Sequence, residues 1–135
     1  MGDTSSRTRI LVVDDEPSMR EMLRRVLGSR DFEVVLAENG VRAHQLASEQ
    51  AFDLALCDVA MPGIDGIATL AGLKALRPST EVVMMSGYAP AAAVTESRRL
   101  GAYAFVEKPF DIDRLFSTLE RALEHQRQRN PLPAP

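Results

Sequence analysis

The chain has 135 residues, 45% of them hydrophobic and 26% charged, a balance that suits one compact domain around one core and excludes long disorder. A formal net charge of -3 argues against sequence-independent nucleic-acid binding, which needs a basic surface to displace counterions. The apolar run Ile10–Val13 ends in two acids and is neither a signal peptide nor a membrane span, and the single cysteine, Cys57, forms no internal disulfide, which fits the reducing cytoplasm.

Residues 1–8 are polar and aperiodic and read as a loose N-terminal arm, with the domain over 9–127. Ile10-Leu11-Val12-Val13 reads as a strand running into Asp14-Asp15. From Pro17, which suits a first helical turn, Met19, Met22, Leu23, Val26 and Leu27 share one helix face. Glu33–Ala37 reads as a second strand, and the turn signal Asn39-Gly40 leads to a helix over Val41–Glu49. Leu54–Cys57 forms a third strand ending at Asp58, inside which Cys57 reads as a small buried hydrophobe rather than a reactive thiol. The spacing of Ile67, Leu70, Leu73 and Leu76 predicts a helix over 66–77, stopped by Pro78. A fourth strand, Val82–Met85, ends at Ser86, and residues 90–100 read as a helix with a thin apolar face. The fifth strand, within 102–106, is followed by Lys108. Asp111 caps a last helix running through Leu115, Phe116, Leu119, Ala122 and Leu123 to about residue 127. Residues 128–135 carry three prolines and read as a stiff tail or truncated linker. His44 and His125 fall on helices away from the strand ends and are expected to face solvent.

Strand and helix thus alternate five times, and the strands are apolar on both faces. Such strands suit a doubly wound α/β fold, a five-stranded parallel sheet covered by helices on each side. Open sheets of this kind bind ligands beyond the carboxyl ends of their strands. Asp14, Asp15, Asp58, Ser86 and Lys108 all fall there.

Each of these residues has a structural explanation on its own. Asp14-Asp15-Glu16 would cap the first helix, Asp58 would start a turn, Ser86-Gly87 would open a loop, and Lys108 would be solvated surface. Their convergence points elsewhere. Neighbouring carboxylates raise one another's proton affinity unless a cation sits among them, and with no histidine or cysteine cluster the donor set suits a hard divalent ion, Mg²⁺ or Mn²⁺. A carboxylate beside such an ion, a hydroxyl and an ammonium suit phosphoryl transfer: Asp58 as nucleophile, Asp15 as direct metal ligand, Asp14 through water, and Ser86 and Lys108 on the phosphoryl oxygens.

The sequence resembles the receiver domain of bacterial two-component response regulators, among them the chemotaxis regulators. The likeness covers roughly residues 9–127 and rests on Val13-Asp14-Asp15, Asp58 with Met61-Pro62-Gly63 and Asp65-Gly66, Ser86-Gly87, and Gly101-Ala102 leading to Lys108-Pro109-Phe110. It implies a flavodoxin-like sheet of order 2-1-3-4-5, a phosphoryl group taken by Asp58 from a sensor histidine kinase or phosphotransfer protein, and Mg²⁺ held by Asp15, Asp58 and the main-chain carbonyl of Ala60. A cis Lys108-Pro109 bond is typical of that family. So is a switch in which Ser86 moves toward the phosphate and Phe105 turns into the vacated space, although an aromatic in an apolar strand is equally well explained as core. Ala60 and Tyr88 occupy positions that tune phosphate lifetime.

The output implied is a shift of the surface over 90–100, 102–106 and 111–127, read by a partner, an output domain beyond the C-terminus, or a second copy in a phosphorylation-dependent homodimer. Two other classes compete. A haloacid-dehalogenase-like phosphatase would carry a second aspartate where Ala60 stands, and a phosphorylation-independent interaction module would not need every group to be present.

Overall fold

The computed structural model describes residues 7–61, 65–88 and 90–129. In chain order the elements are β1 (Thr8–Val13), α1 (Pro17–Gly28), β2 (Phe32–Ala37), α2 (Gly40–Glu49), β3 (Leu54–Asp58), α3 (Gly66–Leu76), β4 (Glu81–Ser86), α4 (Ala91–Arg99), β5 (Ala104–Glu107) and α5 (Ile112–Arg129). The strands form one sheet of order β2-β1-β3-β4-β5, every pair parallel. That is the order the family resemblance implies.

Strands apolar on both faces are explained by the two cores they feed. Side chains alternate across a strand. Ile10, Val12, Leu54, Leu56, Val83, Met85 and Val106 face one way, onto Leu23 and Leu27 of α1 and Leu115, Phe116 and Leu119 of α5. Leu11, Val13, Ala55, Cys57, Val82 and Met84 face the other way, onto Ala43 and Leu46 of α2 and Leu70 and Leu73 of α3. Buried Cys57 is thus a core residue, and burial pushes its thiol well above the ordinary range, so it stays a protonated hydrophobe. α4 differs from the other helices: its one buried residue is Ser97, whose hydroxyl bonds back to Ala93.

Local signals fix several helix starts. Asn39 and Asp65 cap α2 and α3 by accepting from the backbone N–H of Arg42 and Ala68, and the Asp111 carboxylate accepts from Arg114 at the start of α5. Pro17 sits in the first turn of α1, as its missing donor favours, but no side chain caps that helix. The capping role open to Asp14 and Asp15 is not used.

Some boundaries and orientations differ from expectation. β1 opens at Thr8, and Arg7 donates to the carbonyl of Phe32, so the sheet begins inside the expected arm; residues 1–6 and 130–135 lie outside the described residues. β2 opens at Phe32, a core residue, rather than at Glu33. β5 runs from Ala104 to Glu107 rather than within 102–106. α5 continues to Arg129 because its last turns have a buried partner. Glu81, only 2% exposed at the start of β4, accepts from His125 Nδ1 at 2.7 Å and lies 3.1 Å from Arg129 Nε. His125, although half-exposed, is held by this acid and by the ring of Tyr103 rather than facing water freely. His44 is the histidine that departs from the expectation, being only partly exposed. Its ring packs over Gly72 and its Nε2 lies 3.1 Å from the Thr69 carbonyl, which joins α2 to α3.

No helix among the described residues is long and apolar enough to cross a membrane. Leu56, fully buried at the middle of the central strand, tests the core directly. Leu56→Ala is expected to lower unfolding free energy by about 2–5 kcal/mol, seen as a lower urea midpoint with an unchanged slope.

Candidate functional site at the carboxyl edge of the sheet

The sheet does not stop abruptly at its carboxyl edge. Asp14 N–H donates to Ala37 at 3.2 Å, Val59 N–H to Met85 at 3.0 Å and Lys108 N–H to Ser86 at 2.8 Å, so the ladder extends past the strand ends and fixes the backbone of the residues that form the site. Asp14, Asp15 and Asp58 each bring one carboxylate oxygen to a point where all three lie within 4.8 Å of one another. Residues far apart in sequence meet because β1 and β3 are neighbours and β5 closes the same edge.

Lys108 sits against two of these acids. Its Nζ donates to Asp14 Oδ2 at 2.9 Å and to Asp58 Oδ2 at 3.0 Å. The remaining oxygen of each acid is held by a backbone amide two residues on: Asp14 Oδ1 accepts from Glu16 at 2.9 Å, and Asp58 Oδ1 from Ala60 at 3.1 Å. Asp58 is therefore both a turn former and a site residue. Asp14 is completely buried and Asp58 nearly so, while Asp15 is more open to solvent. The Lys108-Pro109 bond that follows is cis.

Burial and charge act in opposite directions here. Burial pushes the Asp58 carboxyl above its ordinary value and the charge of Asp14 adds to that, against the pull of Lys108 and the Ala60 amide. Burial also works against the Lys108 ammonium, but its bonds to Asp14 and Asp58 outweigh that and hold it above the ordinary lysine value. One ammonium is too little positive charge for three carboxylates. The donor set consists of hard oxygens with no histidine or cysteine among them, and it fits an ion such as Mg²⁺.

Ser86 and Phe105 are near this edge but are not engaged with the acids. The buried Ser86 hydroxyl donates to the Tyr88 carbonyl at 2.7 Å and accepts from the Tyr88 N–H at 3.0 Å. Tyr88 itself is 85% exposed. Phe105 is half-buried against the α2/α3 side of the sheet and lines an open groove between α4, β5 and α5 with Val94, Arg98, Phe110 and Arg121. Pro62 and Gly63 of the motif after Asp58 lie outside the described residues. Arg20 was not foreseen: its guanidinium donates to the Asp14 carbonyl at 2.8 Å and steadies the end of β1. Its spacing from Asp14 places it one turn into α1, but a surface arginine on a helix gives no sequence signal of that contact.

The chain belongs to the response regulator receiver domain family, whose model matches residues 10–120. Members of this family are the phosphorylation-dependent signalling switches of two-component systems, and the resemblance stated from the motifs therefore holds. Among individual proteins, the chain is 43% identical over 122 residues to the transcriptional regulatory protein ZraR of Escherichia coli (strain K12), covering 90% of this chain and 28% of ZraR. It is 38% identical over 115 residues to the chemotaxis protein CheY of Listeria monocytogenes, covering 84% of this chain and 97% of CheY. The fold matches the CheY-like receiver domain protein of Methanospirillum hungatei JF-1 with a TM-score of 0.89 at 28% identity, over 93% of this chain and 100% of that one. The chain thus spans little more than a quarter of the length of relatives such as ZraR.

The raised Asp58 carboxyl makes a signed prediction for the metal-free protein. A group that binds its proton more tightly folded than unfolded costs stability once ionised, so the cost is present at neutral pH and disappears as pH falls below 3.8, the ordinary carboxylate value. Asp58→Asn is expected to raise the melting temperature in chelator at neutral pH, with the gain vanishing in acid. A pH-independent gain, or a loss, measured by thermal unfolding across that range would contradict it.

Proposed function

We propose that Asp58 is the phosphoacceptor of this receiver domain. The observation that carries the reading is the Lys108 ammonium shared between Asp14 and Asp58, with Asp15 beside them, at the edge where a parallel α/β sheet presents its ligand site. An Asp58 oxygen attacks the phosphorus of a donor in line, the bond from phosphorus to the donor's histidine nitrogen breaks, and an aspartyl phosphate forms. Asp14, Asp15, Asp58 and the Ala60 carbonyl would hold Mg²⁺ or Mn²⁺, which when bound offsets charge on the phosphoryl oxygens. Lys108 exchanges its bond to Asp58 for one to a phosphoryl oxygen. Ser86 releases Tyr88 and donates to another. Ala60 and Tyr88, at the positions that tune phosphate loss in this family, would influence its lifetime.

The phosphoryl group adds about -1.5 to -2 charges, and the response is a population shift toward an arrangement with Ser86 turned to the phosphate and Phe105 turned inward. The altered surface is formed by α4, β5 and α5. Its loosely buried helix α4 and the groove beside Phe105 support that assignment. A sensor histidine kinase or phosphotransfer protein supplies the phosphoryl group in the cytoplasm. The reader is an output domain joined beyond α5, as the greater length of ZraR suggests, or a second copy of the domain. The domain catalyses its own phosphorylation and dephosphorylation and no separate reaction.

Acetyl phosphate with Mg²⁺ is expected to add one phosphoryl group to the wild type, detected by intact mass, and none to Asp58→Asn. Asp15→Asn is expected to weaken Mg²⁺ binding by about tenfold or more, the worth of about 1.4 kcal/mol. Ser86→Ala is expected to take the label yet lose most of the change in hydrogen exchange over β5 and α4. Label remaining on Asp58→Asn would end the assignment, and turnover of a phosphomonoester would favour the phosphatase class.

A further inference from the structure

The first residue of α3 lies against the exit of β3 more closely than any side chain permits. An ideal Cβ built on Gly66 would stand 2.1 Å from the Asp58 carbonyl oxygen, 2.5 Å from Val59 Cα and 2.8 Å from the Val59 carbonyl oxygen. All of these are backbone atoms, so no rotamer change relieves the clash. The contact is reinforced by a hydrogen bond, Gly66 N–H to the Val59 carbonyl at 2.9 Å. By contrast, Gly28 and Gly87 would meet nothing within 4 Å, Gly72 would meet the His44 ring, and Gly101, constrained instead by its φ of +103°, would meet the Lys74 side chain.

We infer that Gly66 is a positioning residue for the acceptor site, holding the Asp58–Ala60 segment in the path that sets where the Asp58 carboxylate and the Ala60 carbonyl stand. The inference rests on the reading of Asp58 as acceptor. Its direction follows from which side of the contact gives way. α3 is anchored by Leu70 and Leu73 in the core, by the Asp65 cap on Ala68, and by His44 on Thr69. β3 is the central strand, paired on both sides by β1 and β4. The exit from β3 is irregular backbone beyond that ladder, held by the Val59 bond to Met85, by the Ala60 amide on the Asp58 carboxylate itself, and by Val59 and Met61 against the α2/α3 core. A side chain at position 66 therefore displaces Val59 and Ala60, which turns the carboxylate held by that amide and moves the carbonyl that follows it. The fold stays, and the site is misaligned.

The test compares Gly66→Ala with Asp65→Ala, which loosens the same helix end by removing its cap and introduces no clash. Three readouts are taken on the full chain: melting temperature, the carbon-13 shifts of the Asp58 carboxyl and Ala60 carbonyl in metal-free protein, and Mg²⁺ affinity by calorimetry. Gly66→Ala is expected to remain folded, to shift both carbon resonances without metal, and to bind Mg²⁺ about 10–100-fold more weakly, the usual effect of losing a group that orients a ligand. Asp65→Ala is expected to lower the melting temperature with the resonances and affinity unchanged. The inference is overturned if Gly66→Ala keeps the wild-type affinity and shifts, if Asp65→Ala loses as much affinity, or if Gly66→Ala unfolds globally. Labelling of the wild type by acetyl phosphate, run alongside, separates this outcome from failure of the acceptor assignment: an unlabelled wild type counts against that assignment, and a labelled wild type with an unaffected Gly66→Ala counts against the positioning role alone.

Discussion

The Lys108 ammonium, donating at once to Asp14 and Asp58, is the contact on which the arrangement of the carboxyl edge depends. Two buried carboxylates this close would otherwise repel, and a buried acid without a partner protonates or opens the structure. The ammonium spans β1, β3 and β5, so it also ties together strands that are not all neighbours in the sheet. Its charge is insufficient for the third acid, Asp15, and this imbalance is what suits the edge to a further cation. Asp14 and Asp58 are thus held in place, yet the three acids are not fully neutralised.

The rest of the fold makes that edge rigid on one side and adaptable on the other. Strands buried on both faces, with α1 and α5 over one core and α2 and α3 over the other, leave little freedom at the ends of β1 and β3. α4 contributes only Ser97 to the interior, and next to it lies the open groove beside Phe105. Elements with few buried contacts are those that open at low cost. A change at the acids is therefore more easily expressed through α4 and β5 than through the helices on the opposite side.

The acids and Lys108 were legible in the sequence because each follows directly on an apolar strand, and strand ends of a parallel sheet converge whatever the side-chain details. The parallel, doubly wound sheet followed from the same alternation, whereas its strand order was implied by the family resemblance. What was missed depends on contacts between elements. His125 is exposed as expected, but its bond to Glu81 was not foreseen, because an acid opening a strand is expected to be exposed; only the docking of α5 over the start of β4 buries Glu81. The same contact carries α5 on to Arg129, beyond the point where its apolar pattern ends. His44 and Gly72 each looked unremarkable, and they fit together only once α2 lies beside α3. Gly66 stood in a recognised motif, but the sequence does not show that its missing side chain makes room for the backbone of Asp58 and Val59.

Ser86 shows how small an energy such a switch has to supply. Its buried hydroxyl makes two bonds to the backbone of Tyr88, both neutral, and Tyr88 is itself an exposed residue. Neutral bonds of this kind contribute about 0.5–1.5 kcal/mol each, and the cost of releasing them falls when the freed groups are solvated rather than buried. A bond from the same hydroxyl to a phosphoryl oxygen is charge-assisted, about 1.5–3 kcal/mol. Under the proposed reading the two sets of bonds largely offset, and the net preference is at most about 2 kcal/mol, a factor of up to about 30 in the ratio of the two arrangements. That is enough to invert an equilibrium already near balance and too little to drive one that strongly disfavours the active form. A switch built on Ser86 therefore requires that the inward position of Phe105 be nearly as stable as the half-buried one before any phosphate arrives, and the weak attachment of α4 is the feature of this fold that makes such a near balance attainable.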